Sequence, residues 1–136
     1  MRTRIQKSMI LVIFTTLLIS YAAMTAVVYR QTVDLLEDET RQEADYIRAA
    51  VKTAGTAYLE EMDAVRENTR VTLIDDSGDV LYDSREDDYT LKNHKNRPEV
   101  KEALSNGSGQ DIRRSDTLGK EMFYYALRLP DGTVLR

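Results

Sequence analysis

The chain has 136 residues, with 19 Lys and Arg against 23 Asp and Glu, a formal net charge of −4; that is one small domain plus at most one further element. Residues 1–29 carry Arg2, Arg4 and Lys7 and no acid, which leaves residues 30–136 with a net of −7 and argues against a nucleic-acid binder, which needs a basic face to neutralise phosphates. Without cysteine there are no disulfides, thiolate metal sites or cysteine nucleophiles, and a single histidine with no phosphate-cradling glycine loop or G-x-S-x-G turn leaves no expected active site, metal or cofactor in this chain.

Residues 1–7 read as a short cytoplasmic amino terminus, followed by an uncharged run of 22 residues from Ser8 to Tyr29. At about 1.5 Å per residue a helix of that length reaches roughly 33 Å, which matches a hydrocarbon core of about 30 Å. Tyr21 and Tyr29 lie toward its far end, where amphipathic rings favour the interface. The basic head and the acids Asp34, Glu37, Asp38 and Glu39 beyond the run place the amino terminus inside and residues 30–136 outside the bilayer. A cleaved secretory signal is the competing reading, with Met9 to Ile19 as its apolar core and Ser20-Tyr21-Ala22 as the cleavage site. The uncharged run continues well past that site, which favours an anchor that stays in place.

From Arg30 to about Asn68 neither proline nor a turn cluster occurs. Val33, Leu36, Ala44, Ile47, Val51, Ala54, Tyr58, Met62 and Val65 recur mostly at spacings of three and four, so residues 30–68 are expected to form one long amphipathic helix. Gly55 is the place for a kink or a close approach. Part of such a helix covers a sheet; the part that outruns it pairs with a second copy of the chain.

Beyond Arg70 the period changes to that of strands. Val71–Ile74 and Val80–Tyr82 flank Asp75-Asp76-Ser77-Gly78-Asp79, which is a hairpin with an acidic turn. The turn lacks the distal glutamate of a calcium loop. A polar loop spans 83–97, then Pro98 opens a short helix whose apolar face is Val100, Ala103 and Leu104 and which ends at Asn106-Gly107. Gly107-Ser108-Gly109 is expected to link to a strand running through Ile112 to Ser115, and residues 116–120 make the next turn. Glu121–Leu129 alternates most clearly, with Phe123, Tyr125, Leu127 and Leu129 on one face and Met122, Tyr124, Ala126 and Arg128 on the other. After Pro130-Asp131-Gly132 a fifth strand begins, and the sequence reads as cut within it. Residues 69–136 are thus expected to be an α+β domain with an antiparallel five-stranded sheet.

The runs RVTLIDDSGDVLYDS, NHKNRPEV, EALSNGSG and RRSDTLGKEMFYYALRLPDGTVLR together resemble the extracytoplasmic sensor of phosphate-regulon-type bacterial sensor histidine kinases, a PAS-like single Cache domain, over residues 70–136. The resemblance implies the sensing region of a homodimeric two-component receptor in the bacterial plasma membrane. It implies further a second span, a helical pair bearing the phosphorylated histidine, an ATP- and Mg-dependent kinase domain and a response regulator as partner, all of them beyond these residues. His94, in an outer loop, is not that phosphorylated histidine. The same kind of sensor also serves chemoreceptors and cyclic-dinucleotide signalling proteins; a single-pass envelope scaffold is the alternative of a different class, disfavoured by the strand pattern after Arg70.

In such domains a ligand sits between the sheet and the loop and helix folded over it. On this sequence the cover is His94, Arg97 and the helix from Pro98, and the floor is Arg113, Ser115 and Tyr124. Guanidinium forks in an acidic domain suit a small carboxylate or phosphate, with an envelope protein as the alternative partner. Arg113 and Arg114 point to opposite faces, and Arg113 shares its face with Ser115. The competing reading for each is structural: an arginine paired to a neighbouring acid, or a half-buried tyrosine.

Overall fold

The structure, a computed structural model, describes residues 2–63, 69–85, 93–115 and 119–136. Val65 and the end of the expected long helix, residues 86–92 of the expected polar loop and the first three residues of the 116–120 turn lie outside the described residues. The chain divides into two compact units, Met1–Asp38 and Glu39–Arg136.

The first unit is helical, the beginning of α1 (Arg2–Ala54). Threonine hydroxyls along it are turned back on their own backbone: those of Thr15, Thr16 and Thr25 donate to the carbonyls of Leu11, Val12 and Tyr21 at 3.0, 3.0 and 2.9 Å. That leaves an apolar exterior of Ile10, Phe14, Leu17, Ile19 and their neighbours. Among the described residues this is one helix long and apolar enough to cross a membrane, with a mean hydropathy of 2.2 in its most apolar window.

The second unit is α+β. The rest of α1 leads into α2 (Ala57–Asp63), then β1 (Thr72–Ile74), β2 (Val80–Asp83), α3 (Pro98–Asn106), β3 (Ser108–Arg114), β4 (Glu121–Arg128) and β5 (Val134–Leu135). The expected single helix over 30–68 is corrected: it stops at Ala54 and restarts at Ala57, a break rather than a kink. Gly55 adopts φ +78°, a left-handed conformation that ends a helix and that glycine takes without a Cβ penalty. Its N–H still bonds Val51 O at 2.9 Å, closing the last turn.

The five strands form one antiparallel sheet in the order β2-β1-β5-β4-β3. In the β1–β2 hairpin Leu73 faces Tyr82 and Ile74 faces Val80, so Leu81 is bulged out. β3 starts at Ser108 rather than after the expected 107–109 link, and it ends at Arg114, one residue short of Ser115. The early start depends on Gly109, where a Cβ would collide with the backbone of α3 at Glu99 O and Ala103 N.

Alternation along the strands sorts the side chains onto two faces. One face carries Val71, Leu73, Leu129 and Leu135, which pack with Ile47 of α1 and with Leu59 and Met62 of α2, and the buried Leu127 opposite Leu135. The other carries Ile74, Ala126 and Val134 under Val100 and Ala103 of α3. Central strand β5 serves both, with Val134 on the α3 face and Leu135 on the opposite one.

Candidate functional site

The α3 face is apolar only under the middle of the helix. Beyond it the same alternation brings up Thr72 and Arg70 around β1, Asp83 on β2, Arg136 after β5, Tyr124 on β4, and Asp111 and Arg113 on β3. These side chains form two ionic groups.

The larger is centred on Glu99, in the first turn of α3 and fully buried. Arg113 grips it as a fork, Nη1 donating to Oε2 at 2.7 Å and Nη2 to Oε1 at 2.9 Å. Arg136 Nε donates to Oε1 at 2.7 Å, and Arg113 Nη1 also reaches Asp111 Oδ2 at 2.7 Å. The two guanidiniums stand over the Tyr124 ring, 4.0 Å away for Arg113 and 4.5 Å for Arg136, an arrangement that stabilises cations by the ring quadrupole. Burial pushes the Glu99 carboxyl up, but the Arg113 fork and the Arg136 charge outweigh it and hold it at about 2. The hydrogen bonds to Glu99 outweigh burial to raise Arg113, whereas burial dominates at Arg136 and lowers it. Glu99 is therefore a strut tying α3 to β3 and β5, ionised at neutral pH with both oxygens engaged.

The smaller group is Arg70 and Asp83, with Arg70 Nε donating to both carboxylate oxygens at 3.0 Å and Thr72 Oγ1 donating to Oδ2 at 2.9 Å. His94 belongs beside both groups. It lies in the turn before α3, where its N–H donates to Gly78 O at 2.7 Å and its carbonyl accepts from Arg97 N–H at 2.9 Å. The residue is 7% exposed, and its buried Nδ1 has no hydrogen-bond partner among the described residues. Burial first, and then the charges of Arg136, Arg97 and Arg70 against the opposing Asp83, lower its pKa to about 4.

Of the residues singled out in the sequence, Arg113 and Tyr124 meet at the Glu99 group, while His94 and Arg97 lie one turn before it. Arg97 is the N-cap of α3, with extended backbone and no side-chain cap bond, and its guanidinium makes no ion pair among the described residues. Arg114 turns away and donates from Nε to Gly119 O at 2.8 Å. Ser115 lies past the end of β3, where its N–H bonds Lys120 O at 2.8 Å and helps close the turn into β4.

Glu99 and Arg136 were not among the residues chosen from the sequence. Both carried a signal: Glu99 precedes Ala103 by four residues and so shares the buried face of α3, and Arg136 follows Val134 by two. In the β1–β2 turn, Asp75 Oδ1 accepts from Ser77 N, Ser77 Oγ and Asp79 N at 2.9, 2.7 and 2.8 Å, a side-chain turn that holds the hairpin. Among the described residues no three His, Asp or Glu side chains gather as a metal site. In comparisons with known proteins, no family model and no curated sequence matches this chain.

Proposed function

We propose that this chain is the membrane-anchored, extracytoplasmic signal-sensing region of a two-component sensor histidine kinase, with a PAS-like single Cache domain in residues 69–136. The observation that carries the reading is the α3 face: a short helix laid over an antiparallel sheet with an organised set of arginines, a histidine and a tyrosine beneath its first turn. It accords with the resemblance of residues 70–136, and the uncharged run of Ser8–Tyr29 supplies the anchor. In this reading the chain works as a homodimer in the bacterial plasma membrane, with the amino terminus inside. A ligand or envelope partner acts by favouring one of two arrangements of the receptor, which requires different affinities for the two. In this reading the ATP- and Mg-dependent kinase lies beyond residue 136, and the response regulator is the separate partner that it phosphorylates.

The test is to read the coding sequence downstream of the Arg136 codon and to fuse a reporter that is active only outside the bilayer after residue 136. The expected result is an active reporter, then a second apolar span of about 20 residues, a helical hairpin with a phosphorylatable histidine and an ATP-binding domain. A cyclase or chemoreceptor output, or a stop codon, overturns the kinase reading; a silent reporter overturns the orientation.

A further inference from the structure

The ionic residues near His94 do not balance. Glu99 and Asp111 together neutralise Arg113 and Arg136, and Asp83 neutralises Arg70. Arg97 has no counter-charge among the described residues. Three residues earlier, the buried Nδ1 of His94 has no hydrogen-bond partner among the described residues, which is costly unless one is supplied. These two observations are independent, one of charge and one of hydrogen bonding, and a single small anion answers both. The Arg113–Tyr124 side does not offer this, because the charges of its two guanidiniums are already balanced by Glu99 and Asp111.

We infer that His94 and Arg97 form a binding site for a small oxyanion, a carboxylate or a phosphate, and that binding is coupled to uptake of a proton by His94. The coupling follows from the surroundings. Arg97 from the α3 cap, Arg136 from the end of β5 and Arg70 ahead of β1 repel a proton on the ring, Asp83 of β2 attracts one, and Glu99 of α3 is committed to its two arginines. An anion seated among them offsets the repulsion and gives Nδ1–H an acceptor, so it favours the imidazolium. By reciprocity the protonated protein holds the anion more tightly. No bond is made or broken other than the transfer of one proton from solvent to the ring.

The inference deepens the sensor reading and rests on it for its biological role. Binding itself is measured on the chain alone, so a failure here is distinguishable from a downstream sequence that encodes no kinase. His94 is the sole histidine, so the imidazole signals of the labelled full chain in zwitterionic nanodiscs belong to one residue. They are followed through a pH titration at constant ionic strength in chloride, in acetate and in inorganic phosphate.

The expected midpoint is about 4 in chloride. With saturating acetate or phosphate it rises by about one unit, equivalent to about tenfold tighter anion binding by the protonated form. A rise with acetate alone marks a carboxylate site, and a rise with phosphate alone marks a phosphate site. Arg97→Gln abolishes the rise and Arg97→Lys retains part of it, with the amide spectrum of each variant confirming the fold. Arg114→Gln, on the opposite face, retains all of it. An unchanged midpoint in all three salts overturns the inference, and so does a rise that survives Arg97→Gln in the folded protein.

Discussion

The two faces of the sheet are held by different physics. The face toward α1 and α2 is sealed by Ile47, Leu59, Met62, Val71, Leu73, Leu129 and Leu135, a contiguous apolar cluster. The α3 face has a smaller apolar patch, and the remainder of its contact is ionic, with a fully buried carboxylate shared by two arginines. Apolar burial is non-directional and insensitive to pH. A buried ion pair is sensitive to pH and to geometry, and removing one partner is far more damaging than never having built it. The first face therefore suits a permanent seat for the helices, and the second suits a place where a signal can be registered.

The largest expected effect comes from breaking the ionic half. Glu99→Gln leaves Arg113 and Arg136 buried without their shared counter-charge, for an expected loss of about 3–5 kcal/mol at neutral pH. The carboxyl lies at about 2 in the folded chain against an ordinary value of 4.5. Its contribution is thus present above about 4.5 and is lost as the pH falls toward 2, about 3 kcal/mol by linkage. Amide hydrogen exchange of β1 and β5 against pH measures this. A variant as well protected as the parent at neutral pH would show that the Glu99 group is not a strut. His94 falls in a separate window: its lowered pKa means stability is lost as the pH drops from 6.5 to about 4.

The apolar face answers with a comparable loss and no pH dependence. Leu59 is wholly buried in the cluster with Ile47 and Met62, so Leu59→Ala is expected to cost about 2–5 kcal/mol, equally across the acid range. It leaves the His94 titration where it was. A loss that varied with pH in the same way as that of Glu99→Gln would mean that the two faces unfold as one ionic unit, and the contrast between them would fail.

How much of this was legible in the residues differs between the faces as well. The β4 alternation placed Leu127 and Leu129 opposite Tyr124 and Ala126, because period-two burial is written directly in residue type. The period of residues 30–68 predicts one helix across Gly55, since a glycine in a helical pattern signals equally a tolerated defect and a left-handed stop; the φ of +78° decides for the stop. On the ionic face the individual charges were visible but their pairing was not. A glutamate in the first turn of a helix looks like an ordinary partner for the helix dipole. Only the register that sets Arg113 against Met122 on β4, and Arg136 beside Thr72, brings two guanidiniums to it. Long-range pairing of this kind is a property of the topology, which a single sequence does not print.

The smallest expected effect tests the seam between apolar and ionic halves. Gly109 lies directly beneath α3, and an added Cβ would meet Glu99 O, Glu102 Cβ at 2.6 Å and Ala103 N at 2.9 Å. Two of these are backbone atoms that cannot rotate away, so Gly109→Ala must lift the first turns of α3 from β3. Overpacking of this size costs about 1–3 kcal/mol. The direction of the lift matters more than its cost, because Glu99 stands on the turn that moves and its fork to Arg113 tolerates little displacement. The Arg113 guanidinium resonances and the exchange of α3 amides should change together, while the amides of α2 on the other face stay protected. If α3 loosens and the Arg113 signals do not move, the ionic strut holds the helix independently of its apolar seat. If both faces loosen together, the sheet transmits strain from one side to the other, which is the behaviour a signal-relaying domain would use.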